Sequence, residues 1–185
     1  MQFKNIFIGI PTRDGRVPIS SFSNLFASLI NLGYKPFILE GKGNFITGAR
    51  NCIIELFAKY SITENRMLWL DDDIFISNTI PELMDIIKDA DDKNINIVGL
   101  YRNSNLEIVQ FNDKRRITDD DMKYADGNYI NLTHSGMGFY YGYTPKDYKF
   151  VWNDKGEDVN FFIDNNIKLL LDKRLKLMHQ KLMFV

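Results

Sequence analysis

Asp71, Asp72 and Asp73 stand side by side between two apolar runs, in the stretch Arg66–Ile76. Ionised carboxylates are very costly in an apolar setting unless they are partnered. Three of them at the end of a strand-length apolar run therefore either face water or hold a cation. Hard cations take oxygen ligands, so the cation reading is chemically sound. A second acidic pair, Glu157-Asp158, follows Gly156 at the predicted start of a helix. Acids there favour the helix dipole, and that alone would account for them. Arg50 falls in or just before the first turn of another predicted helix, where a cation opposes the dipole. Either an anion is held nearby, or Arg50 is a surface residue paired with Glu55 or with the acidic run. The residues leave both readings open.

These groups need elements to position them. Asn5–Ile10 reads as a buried strand bounded by Pro11, and the polar loop 11–16 carries Thr12 and Arg13. Pro18 suits a helix start, Leu25, Phe26 and Leu29 recur at helical spacing, and Gly33 is a natural stop. Pro36–Leu39 is a second strand ending at Glu40. Strand, helix, strand at this spacing predicts a βαβ unit and a parallel sheet. A helix whose buried face is marked by Ile46, Ala49, Ile53, Leu56, Phe57 and Tyr60, a strand at Met67–Leu70, a helix with Pro81 in its first turn and a strand at Ile95–Tyr101 repeat the pattern. In such sheets ligands bind beyond the carboxyl ends of the strands, so Thr12, Glu40, Asp71–Asp73 and Arg102 could share one edge. From Asn103 to Asn128 periodicity dissolves into polar and charged residues. Tyr129–Tyr143 is strand-like but interrupted by Ser135-Gly136-Met137-Gly138, and Ile167–Leu171 and Arg174–Met178 close the chain.

The chain has 185 residues, enough for one domain with a full core. Its net charge of −1 gives no basic bias toward nucleic acid. The single cysteine, Cys52, excludes an internal disulfide framework and fits a reducing, cytoplasmic setting. No apolar run approaches the roughly 18 residues a membrane span needs, and no signal-peptide pattern opens the chain. The Asn- and Lys-rich character would suit a virus or phage, and then the host cytoplasm.

The order of the motifs resembles the metal-dependent glycosyltransferases of the GT-A fold, in particular their large inverting family. Ile8-Gly-Ile-Pro-Thr is similar to the family's opening strand and nucleotide-binding turn. Gly48-Ala-Arg-Asn51 looks like its Ala-Arg-Asn. Leu68-Trp-Leu-Asp-Asp-Asp-Ile matches its strand and Asp-x-Asp, and Gly136-Met-Gly-Phe139 its glycine-bearing acceptor strand. Gly156-Glu-Asp-Val-Asn-Phe161 is similar to its Gly-Glu-Asp-x-x-Phe, and Leu177-Met-His179 falls at its terminal histidine. The resemblance implies one α/β GT-A (Rossmann-like) domain over residues 1–185. Its mostly parallel central sheet would be flanked by helices, with a small antiparallel element near the metal site. Residues 1–102 would be the nucleotide-binding half and 103–185 the acceptor-binding and catalytic half.

It also implies roles. Asp73 and His179 would ligate Mn2+ or Mg2+, Asp71 would share the metal or bind the ribose, and Asp72 could take either task. Arg50 would meet the diphosphate, and Pro11, Thr12, Arg13 and Glu40 would line base and ribose. Asp158 would be the base of an inverting transfer, with Glu157 positioning the acceptor. The donor would be a nucleotide-diphosphate sugar, a UDP-sugar as first guess, and the acceptor a glycan, a protein or a modified nucleic-acid base. The chain is short for this fold. Acceptor recognition would then rest on residues 103–128, on a homo-oligomer partner, or on Tyr140, Tyr141, Tyr143 and Trp152, unless those aromatics are core. A non-catalytic nucleotide-sugar or carbohydrate-binding module is the alternative, and a metal-dependent phosphotransferase a more distant one.

Overall fold

The first apolar run forms strand β1 (Lys4–Thr12), buried from Ile6 onward. The structure is a computed structural model and describes residues 4–12, 19–43, 45–100, 110–112 and 115–179. Arg13, Arg102 and most of the Glu107–Phe111 strand signal lie outside the described residues. The chain continues through α1 (Ile19–Asn31), β2 (Tyr34–Lys42), α2 (Ile46–Tyr60), β3 (Arg66–Leu70), β4 (Ile74–Ile76), α3 (Ile80–Asp92) and β5 (Asn96–Val98). A small antiparallel pair, β6 (Phe111–Asn112) and β7 (Arg115–Arg116), and α4 (Asp119–Tyr124) follow. Then come β8 (Tyr129–Leu132), β9 (Phe139–Tyr143), α5 (Glu157–Asp164), β10 (Leu169–Asp172) and β11 (Leu177–His179).

Seven strands form one sheet in the order β2-β1-β3-β9-β5-β10-β8. β1 pairs parallel with β2 and β3, as the βαβ pattern predicts, and β5 pairs parallel with β10. The expectation of a mostly parallel sheet needs correction. β9 runs antiparallel to both its neighbours, β3 and β5, and β8 runs antiparallel to β10. The sheet is mixed because the second half of the chain does not continue the crossover pattern. It inserts β9 into the middle of the sheet instead, and period-2 patterning cannot reveal such an insertion. A two-stranded antiparallel ribbon, β4–β11, follows directly on the acidic run.

Alternation along the central strands sends successive side chains to opposite faces. Phe7, Met67 and Trp69 join one core with Ile53, Ile54 and Phe57 of α2 and Phe161 and Phe162 of α5. Ile6, Ile8, Ile10, Leu68 and Leu70 join the other, with Leu25 and Leu29 of α1 and Leu83, Ile86 and Ile87 of α3. Both faces are thus covered, which explains why β1 and β3 read as continuous apolar runs. The start of α3 is fixed by a reciprocal capping box between Thr79 and Glu82.

Candidate functional site

The acidic run sits where β3 ends. The Asp71 backbone N–H donates to the Gly138 carbonyl at 2.9 Å, and the Ile74 N–H donates to the Asp71 carbonyl at 3.2 Å. This turn leaves Asp71, Asp72 and Asp73 half-buried. The β4–β11 ribbon then pairs His179 with Ile74, the residue after Asp73. The backbone therefore brings the terminal histidine beside the acidic turn.

Arg50 lies one turn inside α2 and not in its first turn, and its side chain is 2% exposed. Its Nη2 lies 3.3 Å from Asp71 Oδ1, its Nη1 lies 3.0 Å from Glu157 Oε1, and Asp158 contacts the same guanidinium. Of the two readings of Arg50, pairing with the acidic run is realised, although not at the surface. Glu157 is buried and Asp158 half-buried at the start of α5, directly after Gly156, whose φ of 84° turns the chain into the helix. Asp158 Oδ2 accepts from the Met137 N–H at 3.1 Å. Burial pushes the Asp71 carboxyl above its usual range; Arg50 opposes that shift, and the charges of Asp73 and Glu157 reinforce it.

The nucleotide-side residues form a neighbouring group. Pro11 and Thr12 are buried at the end of β1, in register with Gly41 and Lys42 of β2. Thr12 Oγ1 donates to the Gly41 carbonyl at 3.4 Å. A Cβ on Gly41 would meet the Ala49 carbonyl oxygen at 1.9 Å, so the end of β2 lies against α2 one residue before Arg50. Glu40 is on the exposed side of the same strand end. Thr12 and Glu40 lie within strands and do not follow them, as the sequence had suggested.

Asp71, Asp72 and Asp73 lie together on one turn, and carboxylate oxygens are the ligand type that a hard cation takes. Among the described residues, no three His, Cys, Asp or Glu side chains already converge on one cation position. No described helix is long and apolar enough to cross a membrane.

Two features escaped sequence reasoning. One is the use of the Met137 N–H and Gly138 carbonyl as fixed contacts for Asp158 and Asp71. The glycines at 136 and 138, which interrupt a strand pattern, were the available signal. The other is Asn51, whose amide binds the backbone of Phe150. Its signal was its place in Gly48-Ala-Arg-Asn51, which carried no hint of the partner.

No family model and no curated protein sequence matches this chain. Solved structures do. A197 from STIV superposes with a TM-score of 0.63 at 18% identity, over 96% of this chain and 85% of that one. GalNAc-T7, solved with UDP, GalNAc and Mn2+, aligns with a TM-score of 0.45 at 12% identity, over 94% of this chain and 37% of that one. The likeness to A197 is one of fold.

Proposed function

We propose that the chain is a metal-dependent glycosyltransferase of the GT-A fold, moving a sugar from a nucleotide-diphosphate sugar to an acceptor hydroxyl with inversion. One observation carries this reading. Arg50, the one buried cation among the described residues, is contacted by Asp71, Glu157 and Asp158. Three carboxylates thus face one guanidinium, an excess of negative charge that a divalent cation would neutralise.

Asp73, Asp71 and His179 would hold Mn2+ or Mg2+, with Asp72 available in either role. When bound, the ion acts as a Lewis acid toward the departing diphosphate. Asp158 takes the proton of the acceptor hydroxyl as that oxygen bonds to the anomeric carbon and the bond to the diphosphate oxygen breaks. One oxygen of Asp158 accepts from the Met137 N–H and the other meets the Arg50 guanidinium, contacts that would hold a base in place. Glu157 positions the acceptor. The Arg50–Asp71 contact, at 3.3 Å, is the arm of the guanidinium that a diphosphate oxygen would compete for. Pro11, Thr12, Arg13 and Glu40 would line base and ribose. The domain halves 1–102 and 103–185, a UDP-sugar as donor, a glycan, protein or modified base as acceptor, and a cytoplasmic site of action complete the reading.

The test is release of nucleoside diphosphate from a panel of nucleotide sugars with Mn2+, without acceptor and with simple sugar acceptors. Release that depends on Mn2+ and is lost in Asp158→Asn supports the assignment. Binding of the nucleotide with no release would make the chain a binding module.

A further inference from the structure

Arg50 and Asn51 are successive residues of α2, and both reach the segment that joins β9 to α5. Asn51 Nδ2 donates to the Phe150 carbonyl at 3.0 Å, and Asn51 Oδ1 accepts from the Phe150 N–H at 2.7 Å. This exchange is the one a strand residue makes with its partner across a hydrogen-bonded antiparallel pair. Asparagine is a poor residue for a helix interior, so helix stability gives no reason for it there. The Phe150 ring is buried, stacked on Phe161 at 5.3 Å and edge-on to Trp69 at 5.6 Å. The Arg50 guanidinium lies 5.7 Å from its centre. The segment is also held where it begins, since the Thr144 N–H donates to the Asn65 carbonyl at 2.8 Å and Trp69 Nε1 donates to Thr144 Oγ1 at 3.2 Å. Between Phe150 and Gly156 the chain is exposed. It then enters α5 with Glu157 and Asp158.

We propose that Asn51 is a positioning residue for the transfer: by gripping the backbone of Phe150, it fixes where the chain enters α5 and so where Asp158 stands. The proposal rests on the reading of Asp158 as the base. Arg50 holds the two acids from one side, and Asn51 holds the strand of chain that delivers them. One turn of α2 thus sets both the charge around Asp71 and the place of the acceptor-side carboxylates. Asn51 touches no reactant and acts only through Phe150.

Hydrogen exchange by mass spectrometry on wild type, Asn51→Ala and Asn51→Asp tests this, together with steady-state nucleoside diphosphate release. Loss of both hydrogen bonds in Asn51→Ala should speed exchange in peptides spanning 150–156 by about tenfold or more. Asn51→Asp keeps the acceptor for the Phe150 N–H and should fall between. Peptides of β1 and α3 should be unchanged. The turnover number should fall roughly tenfold in Asn51→Ala while the donor KM stays within about twofold, as a displaced base requires. Unchanged exchange over 150–156, or exchange raised equally throughout the chain, overturns the clamp. Faster local exchange with undiminished turnover overturns the positioning role. A wild-type chain that turns over no donor defeats the reading of Asp158, and the exchange data then decide the clamp alone.

Discussion

Arg50 and Glu157, separated by 107 positions in the chain, meet with Nη1 3.0 Å from Oε1, both side chains almost wholly buried. This ion pair joins α2 to α5 across the end of β3 and makes one site of residues from both halves of the sequence. A buried pair broken on one side leaves an uncompensated charge. Arg50→Met should therefore destabilise the fold by about 3 kcal/mol or more. Urea denaturation at neutral pH measures it. A loss below about 1 kcal/mol would mean that the carboxylates find other partners or water.

The two acidic groups should separate by function. Asp73→Ala is expected to abolish metal-dependent nucleotide binding in calorimetry, because it removes a hard oxygen ligand. Asp158→Asn should leave that binding within about threefold and lower turnover by about a hundredfold or more, the range for removal of a general base. Near-full turnover in Asp158→Asn would end its assignment as the base.

Gly41 has a steric reason to be glycine. A methyl group there would meet the Ala49 carbonyl oxygen at 1.9 Å, and backbone on backbone has little room to yield. Gly41→Ala is expected to cost about 1–3 kcal/mol and lower the thermal midpoint. It should also weaken nucleotide binding, since Thr12 and Arg50 are both positioned across this contact. A variant as stable as wild type would show that β2 and α2 are not packed as described.

His134 gives the fold a pH dependence of definite sign. The ring is half-buried, with the Thr133 hydroxyl 3.3 Å from Nδ1, and burial lowers its pKa below the usual 6.5. The unfolded chain therefore takes up this proton more readily than the folded one. The stability contributed by neutral His134 is complete above the unfolded value and is lost as pH falls below it toward the folded value. His134→Gln should keep more of its pH 7.5 urea resistance at pH 5.5 than wild type does. An identical change in the variant would remove His134 from the account.

The parts of this architecture that the sequence showed are those governed by local pattern. The β1-α1-β2 unit follows from Asn5–Ile10, the Leu25 and Leu29 spacing and Gly33. The turn after Leu70 follows from three acids that could not continue a buried strand. The start of α5 followed from Gly156 and two acids. Pairing between distant segments was not legible. Nothing in Phe139–Tyr143 says that it lies between β3 and β5, because alternation specifies which face a side chain takes and not which strand is its neighbour. Arg50 shows the same limit. Its type and place offered an anion, Glu55 or the acidic run, and only the packing of α2 against the end of β3 and the start of α5 brought it to Asp71, Glu157 and Asp158.

The central claim is that the acidic turn and its neighbours bind a nucleotide through a divalent cation. A thermal-shift titration of nucleoside diphosphates and nucleotide sugars, each with and without Mn2+, tests it most directly. The account predicts a rise in midpoint that requires nucleotide and Mn2+ together and disappears in Asp73→Ala, since a ligand that binds only the folded state stabilises it. Absence of any metal-dependent shift with every nucleotide would contradict it.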